Sequence, residues 1–309
     1  MGKSKIYKKL KFLLKLSYLL AVFSSCSNTP TKESLESVYA RSPSKFITVQ
    51  NTRIHYRDEG SGPVIVLLHG VLASLHTWDG WARDLSKDHR VIRFDVPAFG
   101  LTGKIGNDDY TLENYFLVMN DFFKALNLPE QFVIAGNSLG GYLAWNYAVK
   151  HPQRISKIAL LDAGAYPQEL PSVMSLMINP LVRNLPASMT PDYMVKKNVE
   201  SVYGDVSRIK PEVIQLYKDI NLYPGTKEAS VKLFTYVKDL VKNEPLMLKT
   251  LKMPVLVMWG EKDKWVPFNP RWKEDLPRAH FIMYPGVGHV PMEEIPELSV
   301  SDFRKWLVL

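Results

Sequence analysis

The chain has 309 residues, 46% hydrophobic and 23% charged, the balance of an ordinary folded globular protein with room for one large domain and an insertion. No repeat of fixed period and no low-complexity tract interrupts it, which excludes a solenoid or a largely disordered chain. The formal net charge of +8 suggests an anionic partner, but six of those charges are Lys3, Lys5, Lys8, Lys9, Lys11 and Lys15, leaving +2 from Cys26 onward. No clustered Lys/Arg face follows, so nothing supports nucleic-acid binding.

Residues 1–25 read as a signal peptide: a lysine-rich start, the apolar run Leu16–Phe23, then the small residues Ser24 and Ser25. As a helix that 8-residue run is about 12 Å long, too short for a hydrocarbon core of about 30 Å. The Met-Gly start is no myristoylation signal, because Ile6 stands where Ser or Thr is needed. Cys26 is the single cysteine, which excludes a disulfide within one molecule. Val22-Phe-Ser-Ser-Cys26 resembles a bacterial lipobox, with Phe23 where Leu usually stands, and this makes Cys26 the expected lipidation site. The polar residues 26–44 read as a linker or tether. The expectation is an exported lipoprotein of the bacterial cell envelope, anchored to the membrane. A plain signal peptide with a secreted or periplasmic product is the alternative.

The body starts with a predicted hairpin, Phe46–Val49 and Arg53–Arg57 around a turn at Asn51-Thr52. Continuous apolar runs of the kind buried on both faces follow at 63–68, 91–94, 132–135, 158–161, 255–258 and 281–283. Helical patterns such as 112–126 and 142–149 lie between them. This alternation predicts an α/β fold with a mostly parallel sheet and helices on both faces. Residues 166–244 break the rhythm with amphipathic stretches, six tyrosines, several methionines and prolines and no core strand. They read as a helical cap inserted between core segments 45–165 and 245–309.

Gly136-Asn-Ser138-Leu-Gly140 follows the run 132–135 and opens a helix, the strand–turn–helix setting that gives G-x-S-x-G its meaning as a nucleophile elbow. A serine hydroxyl needs a base to take its proton. Of the seven histidines, His55 and His89 read as surface residues, His151 ends a helix, His280 begins the last strand and His76 has no fixed role. His289 alone follows a buried strand through the glycine-rich loop Pro285-Gly-Val-Gly, at the edge where parallel sheets place their sites. An acid must fix its tautomer. Asp263, after the run 255–258, is favoured, and Asp162, after 158–161, is the competitor. Backbone N–H donors for an oxyanion are expected from Leu139, next to the nucleophile, and from Val71, after His69-Gly70. His69 is expected to brace that loop, and Asp95 to tie down its own.

With His69-Gly70, Asp95–Thr102, Gly136–Gly141, Gly260-Glu-Lys-Asp263 and Gly288-His289, the chain from about residue 45 resembles the α/β-hydrolase superfamily. Within it, Gly-Asn-Ser-Leu-Gly-Gly looks like secreted bacterial lipases and esterases, and like carbon–carbon hydrolases acting on ring-fission (meta-cleavage) products. Ala98 and Thr102 depart from the usual Gly and Ser of the loop after Asp95, and Ser138 excludes the branches that place a carboxylate at the elbow. The resemblance implies no metal and no organic cofactor, and no metal or dinucleotide motif occurs in the sequence. The implied activity is hydrolysis of a small carboxylic ester through Ser138, Asp263 and His289. Carbon–carbon hydrolysis is the alternative, and a non-catalytic binding protein on this scaffold the remote one.

Overall fold

The computed structural model describes residues 29–309, so the predicted signal peptide and Cys26 lie outside the described residues. Residues 31–309 form one compact unit. Among the described residues, no helix is long and apolar enough to cross a membrane.

Eight strands form one sheet: β1 (Lys45–Val49), β2 (Thr52–Glu59), β3 (Val64–Leu68), β4 (Arg90–Phe94), β5 (Phe132–Asn137), β6 (Ile155–Leu161), β7 (Val255–Gly260) and β8 (His280–Tyr284). Their order is β1-β2-β4-β3-β5-β6-β7-β8. The β1–β2 and β2–β4 pairs are antiparallel, and every other pair is parallel. The hairpin turns at Gln50-Asn51, one residue earlier than the sequence suggests. Both residues have positive φ (47° and 55°), the pattern of a tight two-residue turn whose twist suits the strands.

From β3 the chain goes first to β4 on one side, then to β5 on the other. That reversal opens a crevice at the carboxyl ends of β3 and β5, where open α/β sheets bind ligands. All five β3 residues and all six β7 residues are buried, which accounts for their unbroken apolar sequence. The helices α2 (Asp79–Leu85), α3 (Leu112–Ala125) and α4 (Leu139–Lys150) connect the earlier strands, and α9 (Arg271–Asp275) lies between β7 and β8. Two more, α10 (Pro291–Glu294) and α11 (Pro296–Leu307), follow β8. Phe94, Phe122, Phe123, Phe132 and Tyr147 form a continuous aromatic seam under α3 and α4. Between β6 and β7 lie only helices: α5 (Ser172–Met177), α6 (Asp192–Val202), α7 (Pro211–Ile220) and α8 (Thr226–Leu240).

The linker reading fails after Pro30. Residues 32–39 form helix α1, capped by Thr31, whose Oγ1 accepts from Ser34 N at 3.1 Å. Leu35 is buried with Leu101 and Tyr223. Glu36 takes two hydrogen bonds from Arg53, at 2.7 and 3.1 Å, and one from the Tyr223 hydroxyl at 2.6 Å. Residues 26–28 of that predicted linker lie outside the described residues.

Candidate active site

Ser138 stands between β5 and α4 with φ 54° and ψ −116°, a conformation rare for any residue with a side chain and strained by about 1–3 kcal/mol. The elbow needs its glycines for space, since a Cβ on Gly136 would lie 2.3 Å from the Gly140 carbonyl oxygen. Backbone hydrogen bonds from Ser138 N to Leu161 O (3.0 Å) and from Gly164 N to Ser138 O (3.2 Å) tie the strained turn to the end of β6.

His289 lies in the loop after β8 and Asp263 in the loop after β7, both at the carboxyl edge that carries Ser138. Asp263 Oδ2 meets His289 Nδ1 at 2.8 Å, and both side chains are almost wholly buried. The other Asp263 oxygen accepts the backbone N–H groups of Trp265 (2.7 Å) and Val266 (3.1 Å), which fixes the carboxylate. With Nδ1–H donated to Asp263, Nε2 is free to accept a proton. Trp265 stacks on the imidazole, centroids 5.8 Å apart and planes 25° apart. Asn137 donates through Nδ2 to the His289 carbonyl at 2.9 Å, binding the elbow to the histidine loop. The Ser138 hydroxyl makes no hydrogen bond among the described residues, as is common before substrate closes a site.

On the other side, His69 Nδ1–H donates to Gly70 O at 2.7 Å, and its Nε2 accepts from Val96 N at 2.9 Å. Burial lowers the pKa of His69, in keeping with a neutral ring that both donates and accepts. In a trans peptide the C=O and N–H point in opposite directions, so a Gly70 carbonyl turned to His69 aims Val71 N–H away from it. Gly70 packs on the elbow, where a Cβ would stand 2.9 Å from Ser138 Cβ. Neither Val71 N–H nor Leu139 N–H meets a loop or side-chain acceptor among the described residues, so the N–H after Ser138 and the N–H after Gly70 are both unengaged there.

The structure thus pairs Asp263 with His289, ties the His289 loop to Asn137 beside Ser138, packs Gly70 of the His69–Val71 turn on Ser138, and holds Asp162 near the Asp263–His289 pair. Asp162, Asp263 and His289 alone have the spacing of metal ligands among the described residues. The Asp263–His289 hydrogen bond already occupies two of those groups.

Sequence reasoning misses the supports. His55 is no surface residue: it is fully buried and donates through Nδ1 to Asp95 Oδ2 at 2.7 Å. Asp95 also accepts from Leu75 N and Leu101 N, each at 2.7 Å, binding its own loop to β2 and to the turn at Leu75. His76 has a fixed place in a 3₁₀ turn, its ring within 3.1 Å of both Ser74 Oγ and Tyr39 O. His89 is partly buried against Asp88 at 2.8 Å. Glu294 accepts from Gly204 N and Asp205 N, both at 2.9 Å, and from Gly288 N at 2.8 Å. His289 N donates to Val202 O at 2.7 Å, so the end of α6 and the histidine loop are locked together.

A doubly wound sheet with a strained serine elbow at its switch point defines a hydrolase fold. The α/β hydrolase fold family matches residues 63–296, and the chain belongs to that family. It is 25% identical over 285 residues to the cis-3-alkyl-4-alkyloxetan-2-one decarboxylase of Shewanella oneidensis, covering 85% of this chain and 87% of that one. It is 27% identical over 321 residues to Lipase 1 of Psychrobacter immobilis, covering 94% and 96%. A solved structure assigned as a lipase from Acinetobacter baumannii superposes with a TM-score of 0.75 at 25% identity, covering 89% and 94%. Hydrolases of meta-cleavage products are also among the matches.

Proposed function

We propose that the protein is a serine hydrolase that cleaves a carboxylic ester through an acyl-enzyme on Ser138. The observation that carries this reading is the buried Asp263–His289 pair at 2.8 Å, on the same sheet edge as a serine held at φ 54°. His289 Nε2 takes the Ser138 proton as Oγ bonds to the ester carbonyl carbon, whose oxygen becomes an oxyanion between Val71 N–H and Leu139 N–H. The C–O bond to the alcohol then breaks, and His289 returns the proton to the departing alkoxide. Water, activated by the same imidazole, adds to the acyl carbon and releases the acid and Ser138. Asp263 stays ionised and stabilises the imidazolium in both halves. The lipases among the relatives favour an ester over a carbon–carbon bond.

Fluorophosphonate labelling and hydrolysis of p-nitrophenyl esters test it: the native protein is expected to react and Ser138→Ala to do neither. A higher kcat/KM for a ring-fission product would replace the ester reading with the carbon–carbon one. No labelling of Ser138 would favour a binding protein. The lipobox-like segment supports a further proposal, export and anchoring by lipid on Cys26. Cys26→Ser is expected to release the protein from membranes, and its persistence there after high-salt washing would refute the anchor.

A further inference from the structure

Asp162 is used nowhere in the steps above, yet it lies buried beside the Asp263–His289 pair. It ends β6 with φ 44°, outside the region most side-chain-bearing residues adopt, and its backbone N–H donates to Met258 O at 3.0 Å. The side chain is fully buried. Oδ1 accepts the Gly260 N–H at 2.9 Å. Oδ2 is buried with no donor facing it. Its neighbours are instead the triad groups: one oxygen each from Asp162 and Asp263 and a nitrogen of His289 lie within 4.8 Å of one another.

Two ionised carboxylates at this spacing in a buried site repel each other, which favours a proton on one of them. The charged groups acting on Asp162 are Asp263 and Glu294, both acidic, and Tyr284 also lies near. His289 supplies its proton to Asp263 rather than to Asp162. A proton on Asp162 Oδ2 resolves the conflict, because it turns an orphaned acceptor into a donor.

We propose that Asp162 is a positioning residue: a neutral carboxylic acid whose Oδ2–H donates to the Asp263 carboxylate, tuning the basicity of His289 and standing in as its partner when Asp263 is lost. Burial first, and the Asp263 charge second, push the Asp162 carboxyl well above the ordinary carboxylate range, in the direction this arrangement needs. The proposal rests on the Asp263–His289 pairing of the ester reading, but not on the nature of the substrate.

Donation from Asp162 draws electron density from Asp263 and so lessens its hold on the imidazolium. Removing the donor strengthens that hold and raises the pKa of His289. Asp162→Ala is therefore expected to move the His289 titration, followed by ¹⁵N NMR of the ring without substrate, upward by about half a unit or more. Asp162→Asn, whose amide can still donate to Asp263 and accept from Gly260, is expected to stay within about 0.2 units of the native protein. This readout is independent of whether any ester is cleaved, and the folded Asn variant serves if the Ala variant does not fold. Asp162→Asn is then expected to titrate as native, and a shift of half a unit or more would overturn the proposal.

A kinetic double-mutant cycle supplies the second arm. Loss of a triad aspartate commonly lowers kcat by about 10⁴. Asp263→Ala is expected to lose only about 10²-fold, and adding Asp162→Asn to remove a further 10-fold or more, because an amide cannot hold the imidazolium. An unmoved His289 titration in Asp162→Ala would overturn the proposal, as would equal rates for Asp263→Ala and the double variant.

Discussion

Gly70→Ala isolates the proposed oxyanion turn from the rest of the site. The φ of Gly70 lies outside the left-handed region, so alanine meets no left-handed penalty there. What it introduces is a Cβ at 2.9 Å from Ser138 Cβ and 3.1 Å from Asn137 Oδ1. Carbon atoms rest at about 3.5–4.0 Å, so the turn must retreat by roughly 0.6 Å or more. A donor that held the oxyanion at about 2.9 Å would then stand near 3.5 Å, at the limit of a hydrogen bond. Losing one such donor is worth about 2.7–4 kcal/mol, which predicts a fall in kcat of about 10²–10³-fold. Because the donor acts on charge that develops only in the transition state, KM is expected to change little. Stopped-time hydrolysis of p-nitrophenyl butyrate, with a thermal melt as a control on folding, reads both parameters. A variant that melts like the native protein and keeps kcat within about threefold would refute the placing of Val71 N–H in the oxyanion hole.

Burial, aided by the Asp79 charge and opposed by a hydrogen bond from the Tyr217 hydroxyl, raises the pKa of Glu293 from 4.5 to about 7. A raised folded-state value means that the protonated form stabilises the fold below about pH 4.5 and that this stability is lost as pH rises through about 7. Glu293→Gln is thus expected to flatten the fall in melting temperature between pH 5 and 8, and parallel curves for the two proteins would count against it. Glu294→Ala leaves the N–H groups of Gly204, Asp205 and Gly288 without their acceptor. It is expected to lower unfolding stability in urea by about 3 kcal/mol, with a loss under about 1 kcal/mol showing that water replaces the carboxylate. Leu35→Ala removes the apolar anchor of α1, worth about 2 kcal/mol at the low end for a small cluster. Amide exchange in residues 32–39 is expected to quicken about 30-fold while the strands keep their protection, and unchanged exchange would show that the helix is held by Glu36 alone.

The parts of the fold legible in the sequence are those whose burial is uniform. β3 and β7 are apolar at every position because helices cover both faces of a parallel sheet, and no alternation pattern can hide them. The elbow is legible for a related reason: Gly136 and Gly140 on either side of Ser138 are fixed by close backbone approach, and such constraints leave a spacing in the sequence. Asp263 and His289 follow once the sheet edge is known, because each sits a few residues after a recognisable strand. The hairpin turn lies one residue before the position its sequence suggests because Gln50, with φ 47°, is not a residue whose chemistry announces a left-handed conformation.

His55 and helix α1 show what a local reading cannot reach. A place in an N-terminal hairpin reads as surface when the strand's outer neighbour is unknown, and so His55 reads as exposed. Yet β2 runs between β1 and β4, and Ile54, His55 and Tyr56 are consecutive buried residues. The partner that makes a buried imidazole tolerable, Asp95, is 40 residues away and on no matching pattern. The same holds for α1, whose eight residues contain Leu35 as their one buried side chain and could not remain helical alone in water. Its stability comes from Glu36 meeting Arg53 and Tyr223, 17 and 187 residues further along the chain. A polar segment reads as tether when its partners are distant, because composition records what a residue is and not what it meets. The candidate site at the carboxyl edge is legible here because the proposed chemistry demands particular residue types. The polar braces behind it answer only to geometry, and geometry of that kind exists only once the chain has folded.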